Sequence, residues 1–339
     1  MLGRLKDLSN LSSVSGNERE VRKYIKEYAG RYGETYVDTM GNLYVHKPGR
    51  GKVVMACAHM DEVGMMVKGI TKEGLLAYDE VGIDSRVCVS KRVLVGPDRI
   101  PGVIGTKAIH LQDREDLKKA IKHSELYIDI GAESEEDALK YVSIGDYVSF
   151  DTEFERFGDD KVKGKALDDR VGCTVVMELL KNEYDCDFYG VFTVQEEVGT
   201  RGAMAAAYQV QPDVALIFEG TTANDMDTED VFQFVTKVGN GPAISMMDKG
   251  TIVKRSIFEE MVNTARDNSI PYQIRQGTLG GNDAGAIHKS GTGALAIGLS
   301  VPCRYIHGPV AVCSADDIEN TYRLADAFLS DKRFNRLEV

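Results

Sequence analysis

The sequence predicts an α/β fold: a mostly parallel sheet with helices on both faces, into which a small, mostly-β domain is inserted. Two patterns carry that reading. From Arg170 onward, short apolar runs alternate with amphipathic stretches of helical length, the rhythm of parallel strands joined by crossover helices. From about residue 67 to 157 this rhythm gives way to short alternating runs broken by Gly and Pro, as in a compact β unit. The chain thus divides into an α/β part, residues 1–66 and 158–339, and an insert, residues 67–157. Its 339 residues suffice for a core in each.

Leu2, Leu5 and Leu8 recur at helical spacing, and Val21, Tyr24 and Ile25 continue an amphipathic helical start. Between them, Ser15-Gly16-Asn17 with Glu18 and Glu20 reads as a helix cap. Residues 37–45 are strand-like around a Met40-Gly41-Asn42 turn. Val53-Val54-Met55-Ala56-Cys57-Ala58 is an unbroken apolar run, as expected of a strand covered on both faces. In the insert, the strand edges and the apolar Val87, Val89, Val93 and Val95 are more than a small β unit can bury alone. His110 and His123 stand there without an obvious chemical partner. Beyond it, helices are expected at 170–180, 201–208, 254–268 and 317–329, and strands at 188–194, 214–218, 243–246, 272–276 and 294–299.

Composition narrows the function. A net charge of −12 argues against a nucleic-acid partner, which needs a basic face. The N-terminus is too charged for a signal peptide, and no apolar run approaches the roughly 20 residues of a membrane span. Six cysteines without a C-x-x-C pair read as buried free thiols, pointing to a reducing cytoplasm.

The candidate chemistry centres on Gly164-Lys165-Ala166-Leu167-Asp168-Asp169-Arg170-Val171-Gly172, where two carboxylates precede an apolar helix. Alone, such a pair is an N-cap with a first-turn acid. Its company changes the reading, because Ala58-His59-Met60-Asp61-Glu62, Gln195-Glu196-Glu197, Phe218-Glu219-Gly220 and Tyr305-Ile306-His307-Gly308 also put metal-type ligands after apolar runs. In open α/β sheets, ligands bind beyond the carboxyl ends of the strands. Five ligands can serve two ions if Asp168 bridges: His59, Asp168 and Glu219 for one, Asp168, Glu197 and His307 for the other. Asp61, two residues after His59, is placed to accept the other ring N–H and fix the tautomer. Two such ions lower the pKa of a bridging water toward about 7, giving a hydroxide nucleophile. If Glu196 and Glu197 end a strand, their side chains diverge, so one binds metal while its neighbour acts as general base. Standing alone, the pair would read as solvated loop acids.

These residues also resemble a known family. Val14-Ser15-Gly16-Asn17-Glu18, Ala58-His59-Met60-Asp61-Glu62-Val63-Gly64, Lys165-Ala166-Leu167-Asp168-Asp169-Arg170, Val194-Gln195-Glu196-Glu197-Val198-Gly199, Glu219-Gly220-Thr221-Thr222, Gly281-Asn282-Asp283-Ala284-Gly285-Ala286 and Arg304-Tyr305-Ile306-His307 are similar to motifs of the TET-type aminopeptidases. These are dizinc metallopeptidases that include glutamyl and deblocking aminopeptidases. The resemblance runs nearly end to end. It implies a zinc-exopeptidase-like α/β domain with the same ligand set, Glu196 as general base, Asp61 orienting His59, and a cis bond at Asp168-Asp169. It further implies a PDZ-like insert that drives assembly into dimers and then homododecamers. Two departures are Glu219, where many relatives carry Asp, and Gly308, where Ser is common.

The expected function is removal of N-terminal residues from short peptides by two divalent ions per subunit, zinc foremost, with cobalt or manganese open. Some relatives carry endoglucanase labels, so a glycoside hydrolase is one alternative, although that chemistry needs two carboxylates flanking a sugar and no metal. A scaffold with a vestigial site is another, and retention of all five ligands with Glu196 argues against it.

Overall fold

A computed structural model describes residues 1–113, 118–226, 234–278 and 280–337. In chain order, α1 (Leu2–Asn10) and α2 (Arg19–Ala29) precede β1 (Glu34–Val37), β2 (Leu43–Lys47) and β3 (Val53–His59). Then follow β4 (Gly64–Ile70), β5 (Leu76–Val81), β6 (Arg92–Val95), β7 (Ile100–Thr106), β8 (Leu126–Asp129), α3 (Glu135–Ala138) and β9 (Tyr147–Phe150). A hairpin of β10 (Glu155–Phe157) and β11 (Lys161–Gly164) leads to α4 (Leu167–Leu179), β12 (Asp187–Thr193), α5 (Arg201–Val210) and β13 (Val214–Thr222). The chain closes with β14 (Ala243–Ser245), α6 (Arg255–Asp267), β15 (Gln273–Arg275), α7 (Ala284–Ile287), β16 (Leu295–Arg304), β17 (Ala311–Ser314) and α8 (Ala315–Ser330).

The large sheet runs β1-β2-β12-β3-β13-β16-β17-β11-β10, with β14 and β15 branching from β16. Its centre, β12-β3-β13-β16, is parallel, as expected. The flanks are antiparallel because hairpins join β1 to β2, β10 to β11 and β16 to β17. β3 shows why a continuous apolar run was needed. Val54, Ala56 and Ala58 pack into the core beneath α4, whereas Met55 and Cys57 face α5 and α7 on the other side. No helix among the described residues is long and apolar enough to cross a membrane.

The inserted β unit is a closed barrel in the order β4-β5-β8-β7-β6-β9. Its strands begin at Gly64 and end at Phe150, while residues 155–157 pair into the large sheet. Closure corrects one expectation. Val93 and Val95 are 1% and 0% exposed, inside the barrel with Met65, Ile104, Ile128 and Phe150, and no strand edge is left over. Of the four valines only Val87 is exposed (37%), and the other exposed apolar side chains on this unit are Val103, Leu139, Tyr141 and Ile144, with Ile109 and Leu111. His123 is structural here: it lies 3.2 Å from the Tyr78 hydroxyl and 3.0 Å from the Ile83 carbonyl.

Where barrel and sheet meet, the chain buries a charged network. The Lys165 ammonium donates to both Glu62 oxygens at 2.8 Å and to the Leu11 carbonyl. Arg170, fully buried, donates to the carbonyls of Leu8 and Met60 and to the Ser13 hydroxyl. The Ser13 amide completes Glu62 at 2.7 Å. These bonds tie the N-terminal segment and the turn after β3 to the lead-in of α4. Truncating one partner strands a buried charge, so Glu62→Ala is expected to lower unfolding free energy by about 3–5 kcal/mol in urea titration. A loss below about 1 kcal/mol, the scale of an exposed pair, would assign the network no structural weight.

Candidate active site

The expected ligands converge at the carboxyl ends of the central strands, though not always in the local setting anticipated. His59 is the last residue of β3. Asp168 and Asp169 open α4 but are not helical (φ/ψ −84°/104° and −125°/49°), and the peptide bond between them is cis. Asp169 keeps the N-cap role, its Oδ1 accepting the amide of Gly172 three residues on (2.8 Å), and it also turns inward to accept the His59 amide (3.0 Å), whereas Asp168 lies outside the helix proper. Only glycine fits at 172, since a Cβ would stand 2.4 Å from the Asp169 carboxylate. Glu219 lies within β13 rather than at its end, because pairing with β16 continues to Thr222. Glu196 and Glu197 do not end a strand. β12 stops at Thr193 and Gln195 takes a positive φ of 55°, so a turn, not strand alternation, sets their directions. His307 sits between β16 and β17 with φ 54°, a left-handed conformation that surrounding contacts must enforce.

Asp168 lies at the middle of the cluster. Its Oδ1 is 3.4 Å from His59 Nε2 and its Oδ2 is 3.6 Å from His307 Nε2. Glu197 Oε2 approaches His307 Nε2 at 3.3 Å, and Glu196 Oε2 stands 4.0 Å from His59 Nε2. Ligand atoms of His59, Asp168 and Glu197 all fall within 4.8 Å of one another, a trio that joins one member of each expected ligand set through Asp168. Glu219 flanks Asp168 across Gly220, whose amide donates to Asp168 Oδ1 at 3.1 Å. A Cβ at 220 would lie 2.9 Å from that of Asp168, so this approach also requires glycine. The cleft, about 210 Å³, is lined by His59, Asp168, Glu196, Glu219, Arg275 and His307, among others.

Electrostatics test whether these residues suit a metal. Burial pushes the carboxyls of Glu197 up to about 7 and Glu219 up to about 8, and Glu196 rises well above the ordinary range for the same reason. Contact with Asp168 holds the His307 imidazole up to about 9. Burial also opposes charge on Asp168, but His307 and His59 outweigh it and keep that carboxylate below its usual range. The cluster thus gathers more negative charge than two imidazoles can balance, the situation a divalent cation relieves. Among the described residues, Nδ1 of His59 is buried without a well-directed hydrogen bond, 3.3 Å from Asp61 Oδ1. That is the carboxylate–imidazole pairing found behind metal-bound histidines. Nitrogen and carboxylate donors without a thiolate fit zinc and its divalent neighbours.

A supporting layer escaped residue-by-residue reading. Asp61 accepts the amides of Glu196 (3.0 Å) and Glu197 (3.1 Å) and the Ser15 hydroxyl (2.7 Å), so it positions the Glu pair as well as facing His59. Glu18 accepts the Gln195 amide at 3.3 Å. Ser15 and Glu18, read as a helix cap, therefore serve the site. Asn282 and Ser300 donate to Glu219 Oε1 at 2.6 and 3.2 Å. Asp283, 2% exposed, accepts the Thr193 hydroxyl at 2.6 Å behind the Glu pair. The signal for Ser15, Glu18 and Asn282 was their membership in the motifs quoted above.

Comparison with known proteins agrees with this geometry. Residues 41–324 match the model of the M42 glutamyl aminopeptidase family. The chain is 40% identical to a protein of Acetivibrio thermocellus described provisionally as an aminopeptidase, over 96% of this chain and 97% of the relative. It is 30% identical to the lysyl aminopeptidase of Pyrococcus furiosus, over 88% and 87%. Among solved structures, an aminopeptidase from the archaeon Desulfurococcus kamchatkensis superposes with a TM-score of 0.93 (34% identity; 99% and 96% covered). The Pyrococcus horikoshii TET1 peptidase, described as assembling into a tetrahedron or a large octahedral shell, gives 0.87 (33%; 97% and 98%). A Thermotoga maritima structure described as an endoglucanase gives 0.82 (35%; 98% and 98%).

The raised groups carry a pH consequence. In metal-free protein, Glu197 and Glu219 stay protonated to about 7 and about 8 against an ordinary 4.5, and His307 to about 9 against 6.5. The folded state then binds more protons than the unfolded state between about pH 5 and 9, so its stability falls as pH rises through that window. Metal binding displaces those protons and stabilises more at higher pH. Calorimetric Tm of stripped protein is expected to fall from pH 5 to 9, with the gap to metal-supplemented protein widening. A stripped Tm that climbs over this range would refute the charge assignment.

Proposed function

Because this chain belongs to the M42 glutamyl aminopeptidase family, and so is a hydrolase acting on peptides, we propose that it removes N-terminal residues from short peptides at a two-metal site. The observation that carries the proposal is Asp168, whose two oxygens face two different imidazoles, as a bridging carboxylate must. His59, Asp168 and Glu219 would hold one ion, and Asp168, Glu197 and His307 the other. Bound there, a pair of divalent ions supplies Lewis acidity that acidifies a water and polarises the scissile carbonyl. Zinc suits the donor set best, with cobalt and manganese as competitors.

The chain's own residues do the rest. Glu196, held by the Asp61 hydrogen bond to its amide, takes the proton of the attacking water and passes it to the leaving amine. Asp61 holds His59 in the tautomer that presents Nε2 to the cleft. A positive substrate α-amine is drawn to the carboxylate-rich cleft.

A glycosidase reading has the endoglucanase description of one relative in its favour. Glycoside hydrolysis needs two carboxylates free to flank a sugar, whereas Asp168 and Glu197 here face imidazoles. Chelator-sensitive release of N-terminal residues, without release of reducing sugar from β-glucan, decides between them. Six buried free cysteines favour a reducing cytoplasm as the compartment. Self-association into a homododecamer built from dimers is part of the proposal, since relatives form a dodecamer and a tetrahedron. Leu139, Tyr141 and Ile144, each more than half exposed on the barrel unit, are the contact candidates.

Three outcomes test the scheme. Glu196→Gln is expected to keep its metal while turnover on aminoacyl chromogenic substrates drops by about 10²-fold or more, since a general base and no ligand is removed. Near-normal turnover would take Glu196 out of that role. Asp168→Ala is expected to lose both ions in elemental analysis, and one ion retained at full affinity would contradict a bridge. Light scattering of the wild type at micromolar concentration is expected to give a mass far above 37.3 kDa. A fully active monomer would dismiss the assembly.

A further inference from the structure

We propose that the Asp225–Arg304 pair positions His307, and so sets how tightly one of the two metal ions is held while leaving the other alone. This rests on the two-metal reading of the cleft and gives a role to two residues that do not line it. The two imidazoles are unequal ligands. His59 ends β3, its side chain is 4% exposed, and Asp61 stands behind its ring at 3.3 Å. His307 sits in the loop between β16 and β17 with its side chain 49% exposed. The carboxylates beside its ring, Asp168 and Glu197, are themselves candidate ligands. Among the described residues, no further carboxylate backs it as Asp61 backs His59. Its direction must therefore come from the backbone of its loop.

That backbone does not hold itself. Tyr305 and His307 have φ of 63° and 54°, which only surrounding contacts can maintain. Tyr305 is exposed, while Ile306 packs against the large core. A charged clamp grips the root of the loop. Arg304, three residues before His307, donates from Nε to Asp225 Oδ1 and from Nη2 to Asp225 Oδ2, both at 2.7 Å. Two parallel bonds from a planar guanidinium fix orientation as well as distance. The Asp225 side chain is 2% exposed and also accepts the Val238 amide at 3.2 Å. Burial opposes its charge, but Arg304 outweighs that and holds the carboxyl below its usual range.

The clamp begins where the strand ladder stops. β13 and β16 pair in parallel as far as Thr222 opposite Cys303, and the Ala223 amide adds a last bond to the Cys303 carbonyl. Arg304 then pairs with Val312 of β17, across the hairpin that carries His307. Glu219 lies inside the β13–β16 ladder and needs no further tie, whereas His307 lies beyond it. Losing the fork therefore loosens His307 and leaves Glu219 in place. An exposed ion pair would matter little, but this one is forked and its carboxylate is buried.

The test titrates metal-stripped protein with zinc against a chromophoric chelator. The wild type is expected to take up two ions in two steps, and His307→Ala identifies the step that depends on His307. Asp225→Asn removes the charge of the clamp, and Arg304→Lys keeps a charge but loses the fork. Both are expected to weaken the His307 step by about 10-fold or more, the scale of a lost supporting contact behind a metal ligand, with the other step unchanged. At limiting zinc their kcat is expected to fall with KM unaltered, and to recover as added zinc fills the weakened step. Equal weakening of both steps overturns the proposal, because the pair then braces the site as a whole. An unchanged titration overturns it too, as does failure of both variants to fold. If Asp225→Asn alone fails to fold, Arg304→Lys decides. A wild type that takes up a single ion removes the two-metal reading itself.

Discussion

Crowding of negative charge in a buried cleft is the constraint to which the neighbouring structure answers. Asp61, Asp168, Asp169, Glu196, Glu197, Glu219 and Asp283 lie close together, and burial penalises the charge of each. The fold divides these acids by what they are given. Asp61 receives two backbone amides and a hydroxyl, which with His59 overcome its burial and keep it ionised. Asp169 receives two amides. Asp168 and Glu219 line the cleft, and Glu197 turns an oxygen to His307. Among the acids proposed as ligands, Glu197 and Glu219 remain raised by burial, the state a cation relieves, while Asp168 is held ionised by the two imidazoles it faces.

The backbone bears the cost of that division. Gly172 and Gly220 exist because two carboxylates must approach main chain more closely than a Cβ allows. Gln195, Tyr305 and His307 adopt left-handed backbone next to, or at, candidate ligands. Such conformations cost on the order of 1–3 kcal/mol each and persist where packing over-determines them. The Lys165–Glu62–Arg170 network lies directly behind this region and supplies rigid support.

The parallel centre was legible in the sequence because a strand buried on both faces must be apolar at every position, and β3 is. The candidate ligands were legible because His and acidic residues directly after such runs have few structural uses. Finer details were hidden wherever a distant partner decides the outcome. Val93 and Val95 look surplus until barrel closure, a property of six strands at once, covers them. Glu196 and Glu197 look like a strand end, and only the Asp61 and Glu18 hydrogen bonds reveal the turn that aims them. Ser15 and Glu18 fit a capping pattern locally, and nothing nearby in the chain announces partners at residues 61 and 195. β17 went unread because Ala311-Val312-Cys313-Ser314 is short, and its pairing with β11 and β16 comes from far along the chain.

The chain enters the barrel on β4 and leaves it on β9, and these two strands are hydrogen-bonded neighbours, with Met65 opposite Val148 and Met66 opposite Tyr147. The doorway is therefore two strands wide whatever lies beyond it. On the catalytic side it is bolted by Ser12 against Ser149 and Arg99 against Glu20. Loops between β5 and β8 can lengthen, shrink or change composition without altering the span the α/β part must bridge. Sequence drift on the outside of the barrel is thus decoupled from the candidate active-site cleft. A lineage with this architecture can rewrite the outer surface of its barrel while its chemistry stays fixed.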